Sequence, residues 1–552
     1  MELSPEQQTL TLQEALDLGI EHHNAGDLQT AESIYNQILQ ADPNQPDALH
    51  YLGVIAYQAG NNKKSIELIT KALTLKPDYA EAHSNLGLSF QELGRLDEAV
   101  LSYRKAIGFK PNYTEAHYNL GIAYQKLNKP KDAIYHYRQT IAATPDYYNA
   151  HSNLGIVLRE LGQLEEAAAC YQKAISINPN ETEAYNNLGV LLWELDKGDE
   201  AAVIFRKSLA VDPGLADAHS NLAIILNSVG RRSEALDHYR KDLQLKRGDN
   251  PINPQDRSFH FISKAKISHD IEQFRYLASE EHENEKFVEL ASLYEGIENE
   301  IDWPGDAGTS VPLSEEHRER LGNTYNRPFH LVEAPEVTGS TLNKSLDVEK
   351  ITTDYFSHSA GMTYFDDLLS PDALTSLRRF LLGSTIWFDF KYQGGYLGAM
   401  LNDGLACPLL LQIADDMRQT FPAIFKDHKL THLWAYKYDS YLTGIEVHAD
   451  FAAVNVNFWI TPDSANLSPT SGGLVVHDVE APLDWKFNSY NSDFEGIQKF
   501  LREHDSGKTV VPYRGNRIVL FNSNLFHETD TIEFRPGYEN RRINITLLFG
   551  MR

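Results

Sequence analysis

Proline recurs at Pro43, Pro77, Pro111, Pro145, Pro179 and Pro213, each step being 34 residues. Glycine keeps the same period at Gly19, Gly53, Gly87, Gly121, Gly155 and Gly189, with Ala223 in the seventh place. Twelve positions on comes a small residue: Ala31, Ser65, Ala99, Ala133, Ala167, Ala201, Ala235. Four later stands an aromatic, at Tyr35, Tyr103, Tyr137, Tyr171, Phe205 and Tyr239, with Ile69 the exception. A fixed period of this length leaves few folds open. Each repeat is one supersecondary unit that cannot bury its apolar face alone and must stack on its neighbours. The glycine and the small residue let two antiparallel helices approach closely. The aromatic fills the space between them, and the proline stops the second helix. The spacing predicts seven helix–turn–helix units over residues 12–248, wound into a right-handed superhelix.

This pattern resembles the tetratricopeptide repeat. Asparagine stands two residues before the Gly/Ala position in five successive units: Asn85, Asn119, Asn153, Asn187 and Asn221. One reading is a ladder of amides in the concave groove, binding the backbone of a protein or peptide partner. The other is that asparagine here supports helix packing. His83, His117, His151 and His219, with Tyr185, precede the asparagines by two. They fall on separate repeats, so they do not form one metal site, and surface or groove lining is expected.

Charge and cysteine content narrow the function classes. A formal net charge of −27 argues against nonspecific nucleic-acid binding and against anionic membranes. Cys170 and Cys407 are the two cysteines, too few and too far apart for a disulfide framework. The first ten residues, MELSPEQQTL, lack the basic and apolar stretches of a signal peptide. No window approaches the roughly 18 apolar residues of a membrane helix. A cytoplasmic protein is expected, with oligomeric state open.

The repeat fails after Arg247. Residues 249–353 are expected to be a helical cap and linker, with two helices over about 259–299 and a loop-like connector over 303–350. From 354 to 552 the chain turns aromatic and β-rich. SPDALTSLRRFLLGS (370–384) reads as a helix with Ser370 as N-cap and Pro371 at its first turn, and PLLLQIADDMRQTFPAIF (408–425) as a second. THLWAYKY, VNVNFWI, SGGLVVHD, GNRIVLFN and RRINITLLFG then read as strands. Alternation puts Asn455, Asn457 and Trp459 on one face and Val454, Val456, Phe458 and Ile460 on the other. The polar stretch 478–510 is long for a strand connection and is expected to be a lid or substrate loop.

Within this region stands His448-Ala449-Asp450, followed by His527 and Arg542. On an extended strand His448 and Asp450 lie on the same side. Two imidazoles and a carboxylate occupy one face of an Fe(II) and leave the other open. His477, after GGLVV, is a rival third ligand. Arg541 competes with Arg542, but alternation places Arg542, Asn544 and Thr546 on the polar face, with Arg541 on the side of Ile543 and Ile545.

HAD, a strand, SGG, GNRIVLFNSNLFH and RINIT in this order resemble the 2-oxoglutarate- and Fe(II)-dependent oxygenases over residues 360–552. The resemblance implies a double-stranded β-helix (jelly roll) with flanking helices and three cofactors: Fe(II), 2-oxoglutarate and O2. It makes His448, Asp450 and His527 the metal ligands and catalytic residues, and Arg542 the bidentate partner of the 2-oxoglutarate C5 carboxylate. Tyr438 and Thr546 would add hydroxyls to that cosubstrate, and Asn457 and Trp459 would face the same pocket. Because Asp450 is present, hydroxylation of a C–H bond is favoured over halogenation. The chain thus reads as a dioxygenase acting on a protein or peptide recruited by its repeats. The alternatives are a small-molecule oxygenase with repeats used for assembly, and a repeat scaffold carrying a decayed oxygenase domain.

Overall fold

A computed structural model describes residues 10–280, 284–390, 395–442, 445–504 and 507–551. Residues 1–9, most of the segment read above for a signal peptide, lie outside the described residues. The chain forms two compact units, Met1–Val211 and Asp212–Arg552.

The first unit is all helix. Six hairpins follow one another: Leu12–Asn24 with Leu28–Ala41, Pro46–Gln58 with Asn62–Leu75, Ala80–Glu92 with Leu96–Phe109, Thr114–Lys126 with Pro130–Ala143, Tyr148–Glu160 with Leu164–Ile177, and Thr182–Glu194 with Gly198–Val211. Each second helix ends two residues before the periodic proline. The glycine column does what the spacing requires. A Cβ built on Gly121 would stand 2.6 Å from Tyr137 Cε1, and one on Gly87 2.5 Å from Tyr103 Cε1. The small residues Ala31, Ser65, Ala99, Ala133, Ala167 and Ala201 are all fully buried. A second column emerges at the turn inside each hairpin. Gly26, Gly60, Gly94, Asn128, Gly162 and Asp196 all have positive φ, the left-handed turn that Gly, Asn and Asp tolerate best.

The periodic histidines are neither surface residues nor groove lining. His83, His117 and His151 are buried, and their Nε2 atoms donate to the carbonyls of Pro77, Pro111 and Pro145 at 2.9–3.0 Å. Each ties the first helix of one hairpin to the turn that delivers it, satisfying a carbonyl that the finished helix leaves without an N–H. The asparagines beside them are half-buried. Asn85 Nδ2 donates to His50 Nε2 at 2.8 Å, and Asn153 Nδ2 to the Tyr118 hydroxyl at 3.1 Å. Both bonds reach back one repeat, so these two amides serve the stack.

The second unit opens with a seventh hairpin, Ala216–Ser228 and Arg232–Arg247, whose His219 repeats the bond, to Pro213 O at 3.2 Å. The two expected cap helices are Lys264–Glu280 and Asn284–Glu300. The 303–350 segment is more ordered than a connector. Strand β1 (Phe261–Ser263) pairs antiparallel with β2 (Ser310–Pro312), and Glu315–Leu321 is a helix capped by Ser314. Strands of three residues lack a full period in sequence, and β2 forms because β1 supplies a partner. Ser370 caps the helix Pro371–Gly383 as expected, its side chain accepting from Ala373 N. The 408–425 helix is split at Phe421 into Pro408–Thr420 and Pro422–Phe425, because Pro422 cannot donate to a continuing helix.

Eleven further strands follow: β3 (Met362–Phe365), β4 (Leu397–Met400), β5 (Leu430–Tyr438), β6 (Tyr441–Leu442), β7 (Val454–Trp459), β8 (Leu474–Glu480), β9 (Lys508–Val511), β10 (Ile518–Asn522), β11 (Leu525–Thr529), β12 (Ile532–Glu533) and β13 (Arg542–Phe549). A six-stranded sheet has the order β3-β10-β7-β13-β5-β4, a three-stranded sheet β11-β8-β9, and β12 pairs with β6, all antiparallel. Met362, Trp459, Val519 and Phe521 of the larger sheet share one buried cluster with Leu474, Val476, Val511 and Leu525 of the smaller. The core therefore lies between the two sheets. The polar stretch after β8 is no open loop: it carries helices Phe487–Asn491 and Phe494–Glu503, while its residues 505–506 lie outside the described residues.

Candidate active site

Strand register assembles the site. In the β13–β5 ladder Arg542 faces Tyr438, Asn544 faces Tyr436 and Thr546 faces Trp434. In the β13–β7 ladder Thr546 faces Asn457. Arg542, Asn544, Thr546, Asn457 and Tyr438 consequently line one cavity of about 320 Å³, together with His448, Asp450 and His527.

The last three converge. Their ligand atoms all lie within 4.8 Å of one another, with His527 Nε2 3.5 Å and His448 Nε2 4.0 Å from the Asp450 carboxylate. Backbone bonds pin them: His448 N donates to His527 O at 3.0 Å, His527 N to His448 O at 2.8 Å, and Asp450 N to Ser523 O at 3.1 Å. Each imidazole donates its Nδ1 proton to a carbonyl two residues earlier, His448 to Glu446 O at 2.8 Å and His527 to Leu525 O at 3.1 Å. Both Nε2 lone pairs are thereby left facing the cavity, the tautomer a metal requires. Burial holds His527 neutral, its pKa far below the usual imidazole value, with His448 adding to the effect. Burial also raises Asp450, against the pull of His448 and of the Asn455 amide. A divalent cation would satisfy this buried carboxylate and both imidazoles at once, so the donor set fits a metal.

A directed chain of hydrogen bonds orients Asp450. Thr546 Oγ1 and Asn544 Nδ2 donate to Asn457 Oδ1 at 2.7 and 2.9 Å, Asn457 Nδ2 donates to Asn455 Oδ1 at 2.6 Å, and Asn455 Nδ2 donates to Asp450 Oδ2. This changes the expected role of Thr546: its proton is spent on Asn457 and it is no free donor. Asn455 was not expected in the site. Its period-2 spacing from Asn457 was the available signal.

Arg542 is 1% exposed and stands alone of the two arginines in the cavity. Its Nε donates to Gly472 O at 2.7 Å and Nη2 to Gly473 O at 3.2 Å, whereas Nη1 is buried with no partner. A bidentate partner for a carboxylate was expected; two of the three nitrogens also donate to the SGG turn. The Tyr438 hydroxyl is likewise buried and makes no hydrogen bond of full geometry, with Thr529 and Arg542 beside it. Burial raises its pKa, the Arg542 charge opposing. Two enclosed donors without a hydrogen bond of full geometry in one pocket fit a carboxylate. Trp459 does not line the cavity. It lies in the core behind Arg542, whose Cζ is 5.5 Å from its ring. Arg541 points to the opposite face and pairs with Glu272 at 2.8 Å. His477 sits 3.4 Å from Glu528 and outside the metal-ligating group.

The rest of the wall was not foreseen: Tyr396, Trp434, Tyr436, Ile445, Glu446, Phe451, Leu474, Phe487, Asn491, Phe494 and Thr529. Trp434, Tyr436 and Tyr438 alternate along β5, so a period-2 reading would have found the first two. Phe487 and Phe494 arrive on the helices after β8, which no strand pattern announces.

Family comparisons cover the repeats. Models described as tetratricopeptide or TPR repeats match residues 23–88, 90–128, 114–147, 157–196, 182–211 and 218–251. Residues 23–251 are tetratricopeptide repeats. Among solved structures, a TPR protein titled YrrB, "with an unusual peptide-binding site", is 27% identical over 32% of this chain and 92% of its own, with a TM-score of 0.29. MamA from Desulfovibrio magneticus RS-1 is 22% identical over 30% and 95%, with a TM-score of 0.29. PilF of Pseudomonas aeruginosa is 19% identical over 38% and 94%, with a TM-score of 0.35. A search of curated proteins found no match. Among the described residues no helix is long and apolar enough to cross a membrane.

Proposed function

We propose that the second unit is a 2-oxoglutarate- and Fe(II)-dependent dioxygenase that hydroxylates a C–H bond, built on a double-stranded β-helix, and that the tetratricopeptide repeats present a protein or peptide to it. The observation that carries the reading is the pairing of two buried donors that make no hydrogen bond of full geometry, Arg542 Nη1 and Tyr438 Oη, with the His448–Asp450–His527 group in one cavity. His448, Asp450 and His527 would hold the metal, and Arg542 with Tyr438 the far carboxylate of the cosubstrate. When bound, Fe(II) and 2-oxoglutarate supply the O2 activation and C–H oxidation that side chains alone cannot.

The chain's own residues do the rest. The Nδ1–carbonyl bonds keep both imidazoles presented through Nε2. The Thr546–Asn457–Asn455 chain aims Asp450 and opposes the burial that raises its pKa. The SGG turn clamps Arg542, so little side-chain entropy is lost when a carboxylate arrives. The aromatic wall keeps water from the reacting centre.

The test is anaerobic titration of the full chain with Fe(II) and 2-oxoglutarate, read by metal-to-ligand charge-transfer absorption, then succinate release on admitting O2. Wild type should show both and His448→Ala neither. If 2-oxoglutarate fails to bind in a metal-dependent way, the repeats remain as a protein-interaction scaffold and the enzymatic reading falls.

A further inference from the structure

The cavity has a charge left over, and it specifies the substrate. Resting on the function proposed above, the charged side chains lining the cavity are Asp450, Arg542 and Glu446. A divalent metal, the Asp450 carboxylate, the dianionic cosubstrate and the Arg542 guanidinium sum to zero. Glu446 remains. It stands two residues before His448 and lines the same wall, and it is exposed at the mouth. Among the described residues no cation pairs with it.

The wall around Glu446 is aromatic. Trp434, Tyr436, Phe451, Phe487 and Phe494 line the same cavity, and Tyr396 lies edge-on to Tyr436 at 5.1 Å between ring centroids. Phe487 and Phe494 are 46% and 40% exposed, so ring surface is open to an incoming group. Aromatic faces attract cations, more strongly as water is excluded, and an unpaired carboxylate beside them adds a directed partner. An anionic substrate would meet Glu446 and the π faces, both repulsive. A neutral apolar one would leave the carboxylate to be covered without compensation.

We propose that this site takes a substrate with a cationic side chain, an ammonium or guanidinium group, seated on the aromatic wall with its charge on Glu446 and its carbon chain directed toward the His448–Asp450–His527 centre. The same chemistry is offered by free lysine or arginine and by those residues in a polypeptide.

The experiment is equilibrium binding to the full-length protein loaded anaerobically with Fe(II) and 2-oxoglutarate, followed by tryptophan fluorescence. The probes are acetyl-Gly-Lys-Gly-amide, the same peptide with norleucine or proline in place of lysine, and free L-lysine. The lysine peptide should bind at least roughly five-fold more tightly than the norleucine peptide, an exposed ion pair and an exposed cation–π contact each being worth up to about 1 kcal/mol. The preference should shrink with salt, vanish in Glu446→Gln and survive in Glu446→Asp. Tight binding of free lysine would assign the source to small molecules, and its absence with peptide binding to polypeptides; either supports the cationic specificity. Equal binding of lysine and norleucine peptides, tighter binding of the proline peptide, or an unchanged preference in Glu446→Gln would overturn it. The charge-transfer band of the same wild-type sample separates the two levels. A band with no lysine preference sinks this inference alone, whereas no band sinks the dioxygenase reading and this inference with it.

Discussion

Replacing Tyr438 by Phe should do two opposite things. The hydroxyl is enclosed, 1% exposed as a residue, and makes no hydrogen bond of full geometry, with Thr529 and Arg542 beside it. A buried polar group without a hydrogen bond costs about 1–3 kcal/mol, part of which the nearby Arg542 charge returns. Removing it while keeping the ring, which lies 4.8 Å from the Arg542 guanidinium carbon and stacks on Tyr396 at 5.1 Å, should leave packing intact. The ligand-free protein should therefore gain up to about 1 kcal/mol in urea unfolding of the second unit. If the hydroxyl donates to the carboxylate of 2-oxoglutarate, the same change removes a charge-assisted bond of about 1.5–3 kcal/mol. Affinity measured by the anaerobic charge-transfer titration should fall roughly 10- to 150-fold. Two results would refute the reasoning. Unchanged affinity would mean that Tyr438 does not meet the cosubstrate. Destabilisation by more than about 1 kcal/mol would mean that the hydroxyl was already paired and that the site is not preorganised for an acceptor.

Two further outcomes concern the repeats. Gly121→Ala places a Cβ 2.6 Å from Tyr137 Cε1, and the ring cannot swing away without breaking its 2.9 Å bond to Gln125. Overpacking of about 1–3 kcal/mol should outweigh the roughly 1 kcal/mol gain in helix propensity. Denaturant unfolding should show a net loss, and an equal or higher midpoint would contradict the close-packing account. His50 is buried and accepts from Asn85, and burial lowers its pKa to about 4. Being depressed, it contributes stability that is present above about pH 6.5 and lost as pH falls toward 4, at most about 3 kcal/mol. Urea unfolding between pH 7 and 4 should decline more steeply in wild type than in His50→Leu; parallel curves would disprove the assignment.

Much of the repeat domain was legible because one physical event recurs. The same glycine–aromatic contact is written at fixed spacing, from Gly19 with Tyr35 to Gly189 with Phe205, so any one instance supports the others. The left-handed turn column was equally written, as Gly with Asn128 and Asp196 interleaved, and was passed over because its residue type varies. In the second unit, strand alternation separated Arg542 from Arg541, since a period of two leaves only one on the pocket side. It failed for the 478–510 stretch, where Phe487 and Phe494 enter on helices; the second, Phe494–Glu503, has Asp493 as its N-cap and a helical apolar spacing in Ile497, Phe500 and Leu501, which a period of two does not detect.

The sequence by itself determined the hairpin number and spacing and the face of Arg542, because each is a matter of local periodicity; His448 and Asp450 lie outside the named strands and are brought together by the His448–His527 bridge and the Asp450 N–Ser523 O bond. Only the tertiary structure decided what those groups do with their hydrogen bonds. It sends the periodic histidines to the carbonyls of Pro77, Pro111 and Pro145 and commits Asn85 and Asn153 to neighbouring repeats. It spends the Thr546 proton on Asn457 and leaves Arg542 Nη1 and Tyr438 Oη enclosed without a hydrogen bond of full geometry. The reason is that a donor's partner is fixed by strand register and helix stacking across tens of residues, which no local period encodes.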